Sequence, residues 1–225
     1  MSVGFRVLKR RRQVEPALVA RFREIPVANI SDCMSRATAA GPRLRPMHAG
    51  GVLCGPAVTV KTRPGDNLMV HMALNCASEG DVLVVDAGGD LTNSIIGERM
   101  LAYCAIRKFA GVVINGAVRD VGWIKAQGMP VYAAGVTHRG PYKDGPGEIN
   151  VPIAIDGMVI EPGDLIVGDE DGLLCIPFDG AAEICDLAAA KHKQEADTFA
   201  DIGKTDNNRA GYEKKLRALG CYFEE

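Results

Sequence analysis

The chain has 225 residues, of which 47% are hydrophobic and 24% charged, and its formal charge is -2. That length supports one good core, so a single domain with helical extensions is expected. The balance is that of a soluble globular protein and gives no support to a nucleic-acid or anionic-membrane partner.

Pro16 to Glu24 reads as a short helix, with Leu18, Val19 and Phe22 as its apolar positions. Asn29 or Ser31 can cap a second helix reaching about Ala40. Gly41 to Gly51 is a loop, and Val52 to Thr62, rich in β-branched residues, is a strand. Pro64-Gly65-Asp66 is a turn, and Asn67 to about Ser78 a helix. Val82 to Val85 is a continuous apolar run typical of a strand buried on both faces. After the flexible Ala87-Gly88-Gly89-Asp90 loop, Thr92 or Asn93 can cap a long helix through Phe109, stopped by Gly111.

Val112 to Ile114 is the next strand, closed by an Asn115-Gly116 turn. Arg119-Asp120 opens a short helix to Gln127, and Val131 to Ala134 is a further strand. Gly135 to Asn150 is loop-like. Asp156-Gly157 joins Val151–Ile155 to Met158–Ile160 as a hairpin. A second hairpin, Asp164–Val167 with Leu173–Ile176, encloses an acidic turn that lacks the twelve-residue calcium-loop pattern. Asp179 caps a long helix from about Ala181 to Phe199. A polar tail and an amphipathic helix from about Asn208 to Leu219 follow. Glu79-Gly80-Asp81 and Glu161-Pro162-Gly163-Asp164 are two similar entries from a turn into an apolar strand. Helices on strands, with late hairpins, predict an α/β layered domain.

Seven cysteines, an odd number without a C-x-x-C pair, suit a reducing compartment and neither a disulfide framework nor a zinc site. The basic start lacks the apolar region of a signal peptide, and no run approaches the ~18 apolar residues of a membrane span. A cytoplasmic protein with no membrane partner is expected. Lys9-Arg10-Arg11-Arg12 reads as a solvated terminus.

There is no nucleophile elbow, P-loop, dinucleotide fingerprint or zinc helix, and His48, His71, His138 and His192 are far apart in sequence. What carries chemistry is Glu98, then twenty residues, then Arg119-Asp120. A helix leading back to a strand brings these ends together at the rim of a sheet. Two carboxylates suit Mg²⁺ or Mn²⁺, and a fixed guanidinium suits an anionic substrate. From spacing alone, a surface ion pair is the competing explanation.

Five segments carry a family resemblance. They are Gly55-Pro56-Ala57-Val58-Thr59-Val60, Pro64-Gly65-Asp66-Asn67, Gly80-Asp81-Val82-Leu83-Val84-Val85-Asp86, Gly116-Ala117-Val118-Arg119-Asp120 and Gly163-Asp164-Leu165-Ile166-Val167-Gly168-Asp169. In order and spacing the chain resembles the regulator of ribonuclease activity A (RraA)-like family from about Ile25 to Ala200. It is most similar to the branch of class II 4-hydroxy-4-methyl-2-oxoglutarate / 4-carboxy-4-hydroxy-2-oxoadipate aldolases. The resemblance implies an αββα sandwich akin to the swivelling phosphohistidine domain. Its core would span about residues 25–178, with C-terminal helices over about 179–220 packing on a neighbouring subunit. It also implies a homotrimer or hexamer with sites between subunits. The family signature has Asp where this chain has Glu98, and a glycine there marks non-enzymatic members.

By the same resemblance Asp120 binds the divalent ion, Mg²⁺ or Mn²⁺, and Glu98 holds water around it. Glu195 is the acid lent by a neighbouring subunit. Arg119 clamps the pyruvyl carboxylate or enolate oxygen, and the Arg99 and Met100 amides receive the pyruvyl carboxylate. Asn67 and His71 line the pocket. Lys143 meets the distal carboxylate of the oxo-acid substrate, although Pro141 stands where the aldolases often have threonine. The implied reaction is retro-aldol cleavage of a 4-hydroxy-2-oxo diacid to pyruvate, with oxaloacetate decarboxylation through the same enolate. The rival reading is a non-enzymatic binding protein that regulates a ribonuclease. For menaquinone methyltransfer, a label sometimes attached to this family, the sequence offers no cofactor-binding glycine loop.

Overall fold

The computed structural model describes residues 2–199, 202 and 208–224. Most of the polar tail between the two last helices therefore lies outside the described residues. In chain order the elements are β1 (Phe5–Val7), α1 (Pro16–Phe22), α2 (Val27–Cys33), β2 (Arg45–Pro46), β3 (Leu53–Thr62), α3 (Leu68–Cys76), β4 (Val82–Asp86) and β5 (Ser94–Ile96). Then come α4 (Glu98–Ile106), β6 (Gly111–Val118), α5 (Val121–Gln127), β7 (Val131–Val136), β8 (Gly147–Ile149), β9 (Ile153–Ile155) and β10 (Met158–Ile160). β11 (Leu165–Asp169), β12 (Gly172–Ile176), α6 (Ala181–Phe199) and α7 (Arg209–Ala218) complete the chain.

The central sheet runs β1-β8-β3-β4-β6-β7-β2, with β3, β4, β6 and β7 parallel. Alternation along these strands sorts their side chains to two faces. Leu83, Val85, Val112 and Ile114 meet the apolar stripes of α3, α4 and α5. Val82, Val84 and Val113 meet Ile153, Ile155, Met158 and Ile166 from the strands β9 to β11. The opposite face of β11 and β12, with Leu165, Val167, Leu174 and Ile176, packs on Phe22, Ile30, Cys185 and Ala188 of α1, α2 and α6. Helix, sheet, sheet and helix layers follow in that order, which is the αββα sandwich that the family resemblance implies. The long β3 joins the two sheets: Leu53–Pro56 pairs with β11, and Ala57–Lys61 with β4.

Several local expectations are corrected. The helix expected from Thr92 or Asn93 begins only at Glu98, because the β-branched Ile95-Ile96 and Ser94 pair with β6 as a strand. Asn115-Gly116 is not a turn but lies inside β6, where a Cβ on Gly116 would meet Ala87 Cβ at 3.2 Å. The second helix starts at Val27, behind Pro26, and ends at Cys33, with Ser35 and Arg36 at positive φ. Strand β8 forms inside the expected 135–150 loop, and the short β2 inside the 41–51 loop.

The basic run is not a free solvated terminus. β1 pairs with β8, Arg10 meets the buried Asp81 at 2.7 Å, and Arg12 meets Glu161 at 2.6 Å and Asp179 at 3.0 Å. The two similar strand entries share a device. Asp81 accepts the Ser78 amide at 2.7 Å, and Asp164 the Glu161 amide at 2.8 Å, so each buried carboxylate closes its own turn. The first half of α6 packs on its own chain, whereas α7 buries no residue. No helix among the described residues is long and apolar enough to cross a membrane.

Candidate functional site

The end of β6 and the start of α4 make the centre of the site. Arg119 donates its amide to the Ile96 carbonyl at 3.1 Å, tying the residue after β6 to β5. Asp120 then adopts the left-handed conformation, φ 59°, and precedes α5. Its Oδ2 accepts the Glu98 amide at 2.8 Å. A carboxylate at a helix N-terminus is favoured by the amides and dipole there, so α4 itself helps to orient Asp120. Gly97 allows this closeness: a Cβ on it would collide with Asp120 Oδ2 and stand 2.7 Å from Arg119 Cγ.

Arg119 Nε lies 3.6 Å from Asp120 Oδ2, with the two side chains 43% and 39% exposed. At that distance and exposure the pair is loose and both groups remain available to a ligand. Glu98 and Asp120 line a cleft of about 420 Å³ with Thr137 and His138. Beside it lies a cavity of about 450 Å³ containing Asn67, His71, Met100 and Lys143. Arg99 and Arg119 line both, so they form the boundary between an acidic compartment and a cationic one.

The second cavity is built on a buried aspartate. Asp66 is fully buried; its Oδ2 accepts the Asp144 amide at 2.7 Å and the Gly145 amide at 3.0 Å, and its Oδ1 the Leu68 amide at 2.9 Å. It thereby holds the Lys143 loop against the start of α3. Asn67 donates its amide to the Tyr142 carbonyl at 3.0 Å and its Nδ2 to the Ile95 carbonyl at 2.9 Å, linking three walls. Asn67 Oδ1 is buried with no partner among the described residues. Burial, and then the charge of Lys143, hold the His71 imidazole below its ordinary pKa.

The structure thus brings Glu98, Asp120, Arg119, Arg99, Asn67, His71, Met100 and Lys143 to one pair of cavities. One detail of the expected set changes. The Met100 amide already donates to the Gly97 carbonyl at 3.1 Å, inside the first turn, while among the described residues the Arg99 amide has no partner. Glu195 is not brought to the site within one chain. It accepts Asn29 Nδ2 at 2.6 Å and pairs with Lys191 at 2.9 Å in the opposite helical layer. Lys191 and then Asn29 hold its carboxyl below the usual range.

Sequence reading passed over Asp66 as an anchor and over Thr137, His138, Asn75 and Tyr103 as cavity residues. The Pro64-Gly65-Asp66 turn was the available signal for the first. The others depend on strand register and helix pairing, which no local pattern encodes.

A profile of the family described as RraA-like, Aldolase/RraA, matches residues 27–175. The chain belongs to this family. A Halalkalibacterium halodurans protein, provisionally named a 4-hydroxy-4-methyl-2-oxoglutarate aldolase, is 40% identical over 213 residues, covering 95% of this chain and 97% of the relative. A Thermus thermophilus 4-hydroxy-4-methyl-2-oxoglutarate aldolase is 36% identical over 112 residues, 50% of this chain and 68% of that one. Among solved structures, a Streptomyces coelicolor protein described as an unusual member of the RNase ES inhibitor RraA family superposes with a TM-score of 0.77. It is 26% identical, with 84% of this chain and 98% of that one covered. The RraA-like fold expected from the five segments is therefore the observed one.

Among the described residues no three His, Cys, Asp or Glu side chains cluster as a metal cage. Glu98 and Asp120 line one cleft, and two carboxylates are a donor set of the kind a hard divalent ion takes. Mg²⁺ commonly rests on one or two carboxylates and takes its other oxygens from water and substrate.

Proposed function

We propose that this chain is a divalent-metal-dependent, class II pyruvate aldolase. It cleaves a 4-hydroxy-2-oxo diacid such as 4-hydroxy-4-methyl-2-oxoglutarate and also decarboxylates oxaloacetate. The observation that carries the reading is the position of Arg119, which borders both the carboxylate cleft and the cationic cavity. An anionic oxo acid bound in the cavity meets the carboxylates across Arg119 and its neighbour Arg99, which lines both as well. The aldolase names of the two relatives support the same assignment.

Glu98 and Asp120 would hold the ion, which supplies Lewis-acid polarisation of the pyruvyl half. The open Arg99 amide, at the N-terminus of α4, receives the pyruvyl carboxylate. Water held by the two carboxylates takes the C4 hydroxyl proton as the C3–C4 bond breaks. Arg119 bears the charge that develops on the enolate oxygen, a task for a fixed guanidinium in a partly enclosed site. Lys143, set by Asp66, faces the distal carboxylate. In oxaloacetate the same groups stabilise the same enolate, with carbon dioxide leaving instead of an oxo acid.

Glu195 enters the scheme only from a second subunit, in the homotrimer or hexamer proposed here, and the cytoplasm is the proposed location. The test is pyruvate release from both substrates with Mg²⁺ or Mn²⁺ and with EDTA. Arg119→Ala and Asp120→Asn serve as controls that should leave the fold and assembly intact. Capture of a ribonuclease by a chain that releases no pyruvate would instead favour the regulatory reading.

A further inference from the structure

Residues 5–14 precede the stretch, 27–175, that carries the family, yet they are tied to a wall of the cationic cavity. β1 pairs with β8 in parallel, with Phe5 opposite Gly147, Arg6 opposite Glu148 and Val7 opposite Ile149. The Leu8 amide donates to the Ile149 carbonyl at 3.1 Å, and Asn150 Nδ2 to the Leu8 carbonyl at 2.9 Å. Arg6 Nε donates to Glu148 Oε1 at 2.6 Å, with the two side chains 28% and 11% exposed. A short, charge-assisted bond to a largely buried carboxylate fixes register as well as charge.

β8 has only three residues, and a strand that short stands by its neighbours. β3 pairs with it on one side, through Thr62 with Gly147 and Val60 with Ile149, and β1 on the other. The loop 141–146 carries Lys143 and runs straight into β8. It has two anchors. At one, the buried Asp66 accepts the Asp144 and Gly145 amides. At the other, β8 fixes Gly147. Gly145, between them, is buried, and a Cβ on it would stand 3.5 Å from the Phe5 ring and 3.6 Å from Leu68 Cδ2. Phe5 thus covers the loop, while Arg6 fixes the strand that the loop enters. Lys143 is exposed, so the backbone that carries it decides where its ammonium reaches.

We infer that the N-terminal segment positions the cationic wall of the site, with Phe5 and Arg6 as positioning residues that act on Lys143 through β8 and Gly145. Once β1 is loosened, the Lys143 loop keeps Asp66 as its firm anchor and drifts at the other end. The loss falls on recognition of an anionic substrate and spares the carboxylate cleft, which β6 and α4 build. The kinetic consequence rests on the aldolase reading, in which Lys143 faces the distal carboxylate; the mechanical one does not.

The test therefore has two readouts on the whole protein. The first is amide-resolved hydrogen exchange. Arg6→Ala should speed exchange of the Asp144 and Gly145 amides by at least about tenfold, the scale of one lost hydrogen bond to a charged group, with α6 unchanged. The second is the kinetics of 4-hydroxy-4-methyl-2-oxoglutarate cleavage in Mg²⁺, where KM should rise and kcat should stay near the wild-type value. Arg6→Lys should restore much of both. Arg12→Ala, in the same segment but paired with Glu161 and Asp179, should change neither. Phe5→Ala leaves every ion pair in place and should act as Arg6→Ala does, so the question stays decidable should Arg6→Ala fail to fold. Unchanged exchange at Asp144 and Gly145, equal acceleration along the whole chain, or a fall in kcat at constant KM would overturn the inference. In a protein that releases no pyruvate, the exchange readout alone decides it, and the aldolase reading falls separately.

Discussion

Asp120 does three things at once: it adopts a left-handed backbone, receives the Glu98 amide and lines the carboxylate cleft. Asp120→Asn keeps the size and an acceptor oxygen but removes the charge. It should lower kcat at least about 100-fold, the scale of losing one preorganised electrostatic contact, with an unchanged melting temperature. Steady-state pyruvate release beside a thermal melt checks this. Gly97→Ala acts by volume instead, pushing the new methyl into Asp120 and Arg119. Its activity should fall although no ionisable group changes, and wild-type activity in that variant would contradict the packing described here. His71 gives a pH prediction. Its folded pKa is depressed, so the unfolded chain binds more protons as pH falls, and stability rises with pH. The His71 contribution is complete above about pH 6.5, its ordinary value, and is lost as pH falls through the lower folded one. His71→Gln should therefore flatten the drop in melting temperature between neutral and mildly acidic pH. An unchanged slope would place the imidazole in water.

At the scale of elements, α4 and the strand before it decide the site. The 94–97 segment looked helical because its apolar residues continue the α4 stripe, and local periodicity cannot see that β6 has an open edge there. β-Branching at Ile95 and Ile96, and the need for a residue without a side chain at 97, were the signals against a helix. The apolar cores of β3, β4 and β6 and the two late hairpins were legible, since continuous apolar runs and an Asp-Gly turn are local properties. β1 and β8 were not, because each is too short to have a pattern: β1 exists by pairing with β8, and β8 by pairing with β1 on one side and β3 on the other. The basic run misled for a related reason. Its partners Asp81, Glu161 and Asp179 are distant in sequence, and nothing local marks an arginine that will be paired. Arg10→Ala leaves Asp81 buried without its cation. It should cost about 3 kcal/mol in denaturant unfolding, whereas Arg11→Ala, with no such partner among the described residues, should cost under about 0.5 kcal/mol. Equal effects would mean that Arg10 is solvated. The Lys143 loop offers a kinetic counterpart. Asp66→Asn retains acceptor capacity but not charge towards the Asp144 and Gly145 amides. It should raise KM for the diacid more than it lowers kcat.

Over the whole molecule, the αββα layering places the Glu98–Asp120 cleft and Glu195 in opposite helical layers of one chain. A site that uses all three acids must therefore be completed by another copy. The resemblance pointed to that arrangement, and no spacing within the sequence did. Glu195→Gln should leave the monomer fold intact and weaken activation by divalent ion, seen as a higher Mg²⁺ concentration for half-maximal rate. In the proposed function the two carboxylates and Arg119 act on an oxo acid with a divalent ion. Its most direct test is pyruvate release from 4-hydroxy-4-methyl-2-oxoglutarate by the purified chain, first with Mg²⁺ and then with EDTA. Rapid release with Mg²⁺ that EDTA abolishes and added metal restores is the predicted result. No release in either condition, or a rate indifferent to EDTA, would contradict it.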